Sequence, residues 1–526
     1  MDLDLKFQNP FVDQLPGDGE SRNFVRLVSD SCYSLVEPTA TSKPSLISYS
    51  QELAELLGVS PERIGTETFT EVFAGNRRVS GSTPYAMCYG GHQFGHWAGQ
   101  LGDGRAITLG EIEGKDGLSY ALQLKGSGLT PYSRTADGLA VLRSSLREFV
   151  CSEAMHYLRV PTTRALSLIR TGDQVVRDMF YDGNPKLETG AIVCRVAPTF
   201  LRFGSFEIFA AQRNIEVLKQ LADFTIRTQF PSIKADGSPD SYCQWFREVL
   251  DRTAYLMAEW WRVGFVHGVM NTDNMSITGL TIDYGPYGWL EDFDLGWTPN
   301  TTDAQTKRYT FGKQPQIAKW NLLQLANVLC LLVNEPRPLQ EALDEYDQVF
   351  ETYYSEEIRC KLGLPELRDD DTRLVQELYS LFEVIEIDMT LFFRFLANIT
   401  SDSSSDQDLL QAVQPALYNP DEISREGRAR LENWLTTYTT SLRKQHQDPE
   451  VRVKLMNNNN PLYVPRNYLA QLAIDDADTG DYAFLSQWME VLKNPYQEQP
   501  GMEKFAAKRP DWARTRAGCS MLSCSS

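Results

Sequence analysis

The stretch 265–294, FVHGVMNTDNMSITGLTIDYGPYGWLEDFD, constrains this chain more than any other. It crowds Asp273, Asn274 and Asp283 into one loop and the turn that follows it. Residues 275–278 and 281–284 read as two short β segments around Gly279-Leu280, a hairpin that lays the loop beside the end of the second strand. Such a hairpin gathers hard oxygen donors at one point. An Asn/Asp pair suits Mg²⁺, which takes few protein oxygens and completes its shell with water and phosphate. The plainer reading of any one of these residues is an Asx-rich turn that satisfies only local backbone groups.

The order of residues around that stretch decides between the two readings. His267-Gly-Val269, then Asn274 five residues later, then Asp283-Tyr-Gly285 follows the grammar of protein kinases. There His-x-Asp supplies a base, an Asn five residues on binds metal, and the Asp of Asp-Phe-Gly binds metal again. Val269 stands at the base position here, so Asp273, next to the Asn, is the nearest carboxylate able to take over. Upstream, 118–125 alternates as a strand, with Tyr120, Leu122 and Leu124 on one face and Ala121, Gln123 and Lys125 on the other. The apolar stripe of 139–158 predicts a helix with Glu148 near its middle. A strand lysine followed by a helix glutamate is how kinases hold a lysine against phosphates.

Other segments fit around this frame. The glycine-rich run 89–105 carries Gly102, Gly104 and Arg105, where backbone N–H groups can approach phosphate closely and the guanidinium adds a charge-assisted contact. His92 and His96 lack a third ligand and read as packing residues rather than a zinc site. Asp137-Gly138 precedes the predicted helix, a place that favours anions. Arg195 and Arg202 flank Pro198 and offer planar forks matched to phosphate oxygens. Strands are expected at 106–109, 165–169, 174–179 and 191–196, and helices at 49–57, 207–230, 244–263, 317–333, 339–354, 372–396 and 424–444. A Ser/Asp-rich connector is expected at 400–408.

These elements predict an α+β, protein-kinase-like bilobal fold. Residues 1–78 form an N-terminal extension, 79–203 a small β-rich lobe with one key helix, 204–450 a large helical lobe, and 451–526 a C-terminal extension with a cysteine-containing tail. In that tail Cys519 and Cys524 leave two readings open, a reversible disulfide or idle thiols.

The net charge of −19 argues against a polyanionic partner such as nucleic acid. Nine cysteines without a Cys-x-x-Cys pair fit a reducing compartment. No signal-like start and no membrane-length apolar run are visible, so a cytoplasmic protein is expected.

Longer strings carry a family resemblance: Asn9-Pro-Phe11, Leu15-Pro-Gly-Asp18, Tyr89-Gly-Gly-His-Gln-Phe-Gly95, Gln123-Leu-Lys-Gly-Ser-Gly128, Arg143-Ser-Ser-Leu-Arg-Glu-Phe149, Asn271-Thr-Asp-Asn-Met-Ser276, Asp283-Tyr-Gly-Pro286 and Arg466-Asn-Tyr468. Through them the chain resembles the selenoprotein O (YdiU-type) family, protein adenylyltransferases with a pseudokinase fold. The resemblance implies transfer of AMP from ATP to Ser, Thr or Tyr hydroxyls of protein substrates, with ATP reversed relative to a kinase. It makes Asp273 the proton acceptor and Asn274 and Asp283 the ligands of Mg²⁺, with Mn²⁺ as an alternative. It places Gly102, Gly104, Arg105, Lys125, Asp137, Gly138, Arg195, Arg202 and Asp283 against the nucleotide, with Glu148 pairing Lys125. Eukaryotic members carry selenocysteine third from the end, where Cys524 stands here, so a redox link is an expectation of the resemblance; a monomer is expected as well. Two other functions remain open from sequence: a kinase transferring the γ-phosphoryl group, and a catalytically silent ATP-binding scaffold.

Overall fold

A computed structural model describes residues 3–400 and 406–523. Its first half is built on one antiparallel sheet. In chain order its strands, with a separate hairpin, are β1 (Phe7–Gln8), β2 (Tyr33–Leu35), β3 (Ser45–Tyr49), β4 (Tyr85–Met87), β5 (Gly90–Gln93), β6 (His96–Gln100), β7 (Ala106–Glu113), β8 (Ser119–Lys125), β9 (Arg164–Arg177) and β10 (Lys186–Ala197). The sheet runs β2-β4-β7-β8-β10-β9-β3, with β1 added against β7, while β5 and β6 pair only with each other. Residues before 79 therefore do more than pack on the sheet: they supply three of its strands. The two strands expected at 165–169 and 174–179 are one continuous strand, β9. Its pairing with β10 carries it through the intervening turn-like residues, with a register shift between Thr189 and Ala191 of β10.

Strand alternation sorts the side chains of this sheet into two cores. On one face Leu122, Leu124, Ile192, Cys194 and Val196 pack with Leu53 of α2 (Gln51–Leu56) and with Phe69 and Phe73 of α3 (Glu67–Phe73), which follow a short α1 (Pro10–Gln14). The other face is covered by α4 (Leu142–Tyr157), whose Leu142, Leu146, Phe149 and Val150 meet Ala165, Leu168, Ala191 and Val193.

From Phe203 onward the chain is mostly helical. It forms α5 (Phe203–Gln212), α6 (Ile215–Gln229), α7 (Pro239–Val263), α8 (Gln314–Leu329), α9 (Arg337–Leu362), α10 (Asp369–Phe382), α11 (Met389–Leu396), α12 (Asp406–Val413), α13 (Arg425–Gln445), α14 (Pro449–Asn459), α15 (Asn467–Thr479) and α16 (Ala483–Leu492). The single helices expected at 207–230 and 372–396 are each two. Arg213 turns left-handed (φ 59°) and Asn214 caps the next helix by accepting from Val217 N; Asp388 caps α11 in the same way through Leu391 N. Of the connector expected at 400–408, residues 401–405 lie outside the described residues.

The long helix α7 delivers the chain to the diagnostic stretch. Ser238 caps it, Pro239 opens it, and Gly264 ends it in the left-handed conformation, directly before Phe265. The C-terminal helices α15 and α16 return to the first half: Leu469, Ala473, Leu485 and Trp488 share the core of α4. Among the described residues no helix is long and apolar enough to cross a membrane.

Candidate functional site

The hairpin expected from residues 275–284 does not form. Each short segment pairs with a different part of the molecule: Ser276 bridges to Arg202, and Thr281 bridges to Thr162. Phe203 N donates to Met275 O at 2.9 Å and Thr163 N to Thr281 O at 3.0 Å. Two-stranded ribbons of this length bury too little to stand alone, so neighbouring backbone outcompetes the local turn. The oxygen-bearing residues are gathered all the same, because both segments are pinned to one wall.

At that wall, alternation along β8 puts Gln123 and Lys125 on the face away from Leu122 and Leu124, and Arg195 of β10 lies directly opposite Gln123. Lys125 Nζ is 2.6 Å from Glu148 Oε2 of α4, and Arg195 reaches the other oxygen, Oε1, at 3.1 Å. Glu148 is 1% exposed, so it is a buried anion shared by two cations rather than a solvated charge, and its neighbour Arg147 is buried too, against the Tyr287 ring. Asp283 completes the cluster. One of its oxygens pairs with Arg195 and lies 3.9 Å from Lys125; the other pairs with Arg202. Arg202 also donates to the carbonyl of Asp273 at 2.7 Å.

The electrostatics follow from this burial. Burial alone would raise Asp283, but Arg202, Arg195 and Lys125 together outweigh it and hold the carboxyl well below its usual value. Burial pulls Lys125 down, against the opposing field of Glu148. Asp103, buried 4.0 Å from Arg202, is pushed up by burial; it accepts from Met87 N and Gln123 Nε2 at 3.1 Å each. Three buried cations thus gather around Glu148 and Asp283, with Asp103 4.0 Å from Arg202, and Arg195 Nε and Arg202 Nη2 have no hydrogen-bond partner. Buried guanidinium donors without partners suit an anion.

The loop 267–274 sits beside the cluster. His267 is buried, its Nε2 2.8 Å from Ile282 O and its ring stacked on Trp260, so it ties the loop to the residue before Asp283. Val269, at the position where a kinase has its base, offers only its carbonyl, which accepts from Asn274 Nδ2 at 2.8 Å. That bond leaves the Asn274 carbonyl oxygen free to serve as a donor to a cation. Asp273 is 8% exposed, and burial pushes its carboxyl up to about 7 against the pull of Arg202. Its Oδ1 has no partner.

Several residues here were invisible from sequence. The hairpin β5–β6 folds over the loop: His92 N donates to Thr272 Oγ1 at 2.7 Å, Phe94 N to Asn271 Oδ1 at 3.2 Å, and Gln93 Nε2 to Asp273 Oδ2 at 3.3 Å. Gly91 has to be glycine, since a Cβ there would stand 2.8 Å from Asp273 Oδ1. The repeated glycines of Tyr89-Gly-Gly-His-Gln were the available signal: Gly91 marks close approach to this loop, and Gly90 makes room for Trp97. His92 and His96 hold no metal cluster among the described residues; His92 packs on Trp97 and Trp320.

The remaining candidates stand apart from the ionic cluster or at its edge. Gly102 and Gly104 are packed on Tyr132, which a Cβ at either would strike. Arg105 immediately precedes Ala106, the residue paired with Lys125 in the sheet, and contributes to lowering that lysine. Asp137 is paired with Arg177 at 2.7 Å in a half-exposed position, and Gly138 (φ 74°) lies against Gly128. Residues 139–141 are extended, so Asp137-Gly138 is not the immediate start of α4. Cys519 is buried and burial pushes its thiol up to about 11, while Cys524 lies outside the described residues.

Comparison with known proteins finds relatives along nearly the whole chain. The family model described as Protein adenylyltransferase SelO matches residues 21–493. The chain is 54% identical to Protein nucleotidyltransferase YdiU of Methylobacillus flagellatus over 99% of its own length and 100% of that protein's. It is 54% identical to the Rhodopirellula baltica protein of the same name over the full length of both, and 51% identical to that of Flavobacterium johnsoniae over 99% of both. The chain belongs to the SelO/YdiU family.

Proposed function

We propose that this protein transfers AMP from ATP to hydroxyl groups of protein substrates and releases pyrophosphate, on a bilobal, kinase-like scaffold divided near residue 203. The observation that carries the reading is the pair Arg195 and Arg202, converging on Asp283 with buried donors unsatisfied. A nucleotide bound with its β and γ phosphates inward, beside Lys125 and these arginines, would satisfy those donors and leave the α-phosphorus nearest the loop 267–274. Gly102, Gly104, Arg105, Asp137 and Gly138 would line the rest of the nucleotide.

The donor set fits a Mg²⁺ ion: Asp283 is held ionised, and the Asn274 carbonyl oxygen is free because Nδ2 is spent on Val269 O. Bound there with the nucleotide, the ion would offset phosphate charge. The protein's own steps are these. Asp273 accepts the proton of the attacking hydroxyl, whose oxygen bonds to the α-phosphorus as the bond to pyrophosphate breaks. Arg195, Arg202 and Lys125 stabilise the negative charge that collects on the leaving group. Asp273 suits the task because its unpaired Oδ1 and raised proton affinity make it a competent base near neutral pH.

The test is Asp273→Ala, assayed by the mass of the modified protein substrate and, separately, by nucleotide binding. Loss of the AMP adduct with nucleotide binding retained is the expected result. Full transfer by the variant would remove Asp273 from the base role, and a phosphate adduct from the unaltered protein would make it a kinase.

A further inference from the structure

One hydrogen bond away from the loop 267–274, through His92 N and Thr272 Oγ1, lies a cavity of about 230 Å³ whose lining includes His92, Trp97, Glu207, Gln324 and Asn327. Its floor is unusual. Glu207 of α5 is 3% exposed; its Oε2 is 2.6 Å from His92 Nδ1, and its Oε1 has no partner. A buried carboxylate oxygen without a donor is costly, and the cheapest remedy is a charge-assisted donor brought from outside.

We propose that this cavity is a specificity pocket for a basic side chain, arginine or lysine, of the protein substrate, close in sequence to the hydroxyl that receives AMP. The inference rests on the AMP-transfer reading and adds to it which substrates are chosen. Its placement is the first argument. His92 N is bonded to Thr272, the residue before the base, and α5 starts one residue after Arg202, which holds the Asp273 carbonyl. An extended peptide advances roughly 3.3 Å per residue, so the basic residue is proposed within a few positions of the acceptor hydroxyl. Chemistry is the second. A guanidinium or ammonium would donate to Glu207 Oε1 and lie against the half-exposed Trp97 ring, with the amides of Gln324 and Asn327 at the rim as further acceptors. Arg308, stacked at 4.7 Å on Trp320 behind His92, is not part of the lining. Charge is the third: a protein of net charge −19 steers basic partners and repels acidic ones.

The test uses the full chain and fluorescent peptides with one acceptor hydroxyl. Arginine is placed at each neighbouring position in turn, beside counterparts in which neutral, isosteric citrulline replaces it. Binding is read by anisotropy and transfer by label from α-labelled ATP. At one position arginine should bind about tenfold more tightly than citrulline, as expected for a desolvated charge pair. Glu207→Gln should bring that ratio close to one. Ala211→Lys, on the exposed rim and safe for folding, should weaken the arginine peptide and not the citrulline one. No discrimination at any position, or discrimination that survives Glu207→Gln, overturns the pocket. Discrimination in binding without label transfer leaves the pocket standing and removes the AMP-transfer reading instead.

Discussion

In the proposed role of proton acceptor, Asp273 combines two properties that usually conflict, burial and a need to be ionised. Its carboxyl is raised to about 7, so in the free enzyme the base form grows in as pH rises through that value. We therefore expect kcat/KM to fall roughly tenfold per pH unit below about 7 and to level off above it; a profile flat from about pH 5 to 8 would contradict the role. The same shift has a stability consequence. Because the folded state holds a proton that the unfolded chain releases between its ordinary value near 4 and about 7, burial of Asp273 costs stability above that window and not below it. Asp273→Asn should therefore raise the unfolding midpoint at about pH 8 more than at about pH 5. Asp283 has the opposite sign. Its carboxyl is depressed, its stabilisation is present at neutral pH, and it is lost as pH falls below the usual carboxylate range. Asp283→Asn would leave Arg202 buried without its close carboxylate and Arg195 with Glu148 alone, and should cost about 3 kcal/mol or more in a denaturant titration, besides abolishing Mg²⁺-dependent nucleotide binding.

At the scale of elements, the hairpin β5–β6 and the start of α5 are fitted to each other through glycine. A Cβ on Gly204 would stand 2.1 Å from the carbonyl oxygen of Gly90, a backbone atom that cannot swing aside. Gly204→Ala should therefore displace the hairpin from the loop 267–274, cost about 1–3 kcal/mol, and lower transfer more than nucleotide binding. Unchanged stability in a thermal melt would show that the two elements are not closely fitted. The β8 and α4 parts of the site were legible because each rests on a local period. Alternation assigned Lys125 to the polar face of its strand and the apolar stripe marked α4, while Glu148 was singled out by the kinase-like order of a strand lysine followed by a helix glutamate. The segment 275–284 was misread because its partners, Arg202 and Thr162, are distant in sequence and no local pattern announces them. The same limit hid Gln93, His92 and Glu207, whose contacts span more than a hundred residues. The breaks inside 207–230 and 372–396 were marked by Asn214 and Asp388, cap residues that an apolar period runs straight through.

At the scale of the whole molecule, the two ends of the chain hold the site from outside. The N-terminal residues complete the sheet, and the last helices brace α4 from behind. Beyond them the tail reaches the front: Leu522 bonds through its backbone to Pro299 and Thr301, while Asn300 Nδ2 donates to Gly268 O at 3.0 Å, next to His267. Deleting residues from Gly518 onward should speed hydrogen exchange at the Thr301 amide, bonded at 2.7 Å to Leu522 O, and reduce transfer; unchanged protection there would dissociate the tail from the site. All of these contacts serve one claim, that the arginine pair at Asp283 receives the terminal phosphates and leaves the α-phosphorus exposed to attack. The most direct measurement supplies a protein substrate and Mg²⁺ with ATP labelled on either the α or the γ phosphate and follows label into protein. Label from the α position alone is the predicted result. Label from the γ position alone would contradict the account and make this protein a kinase.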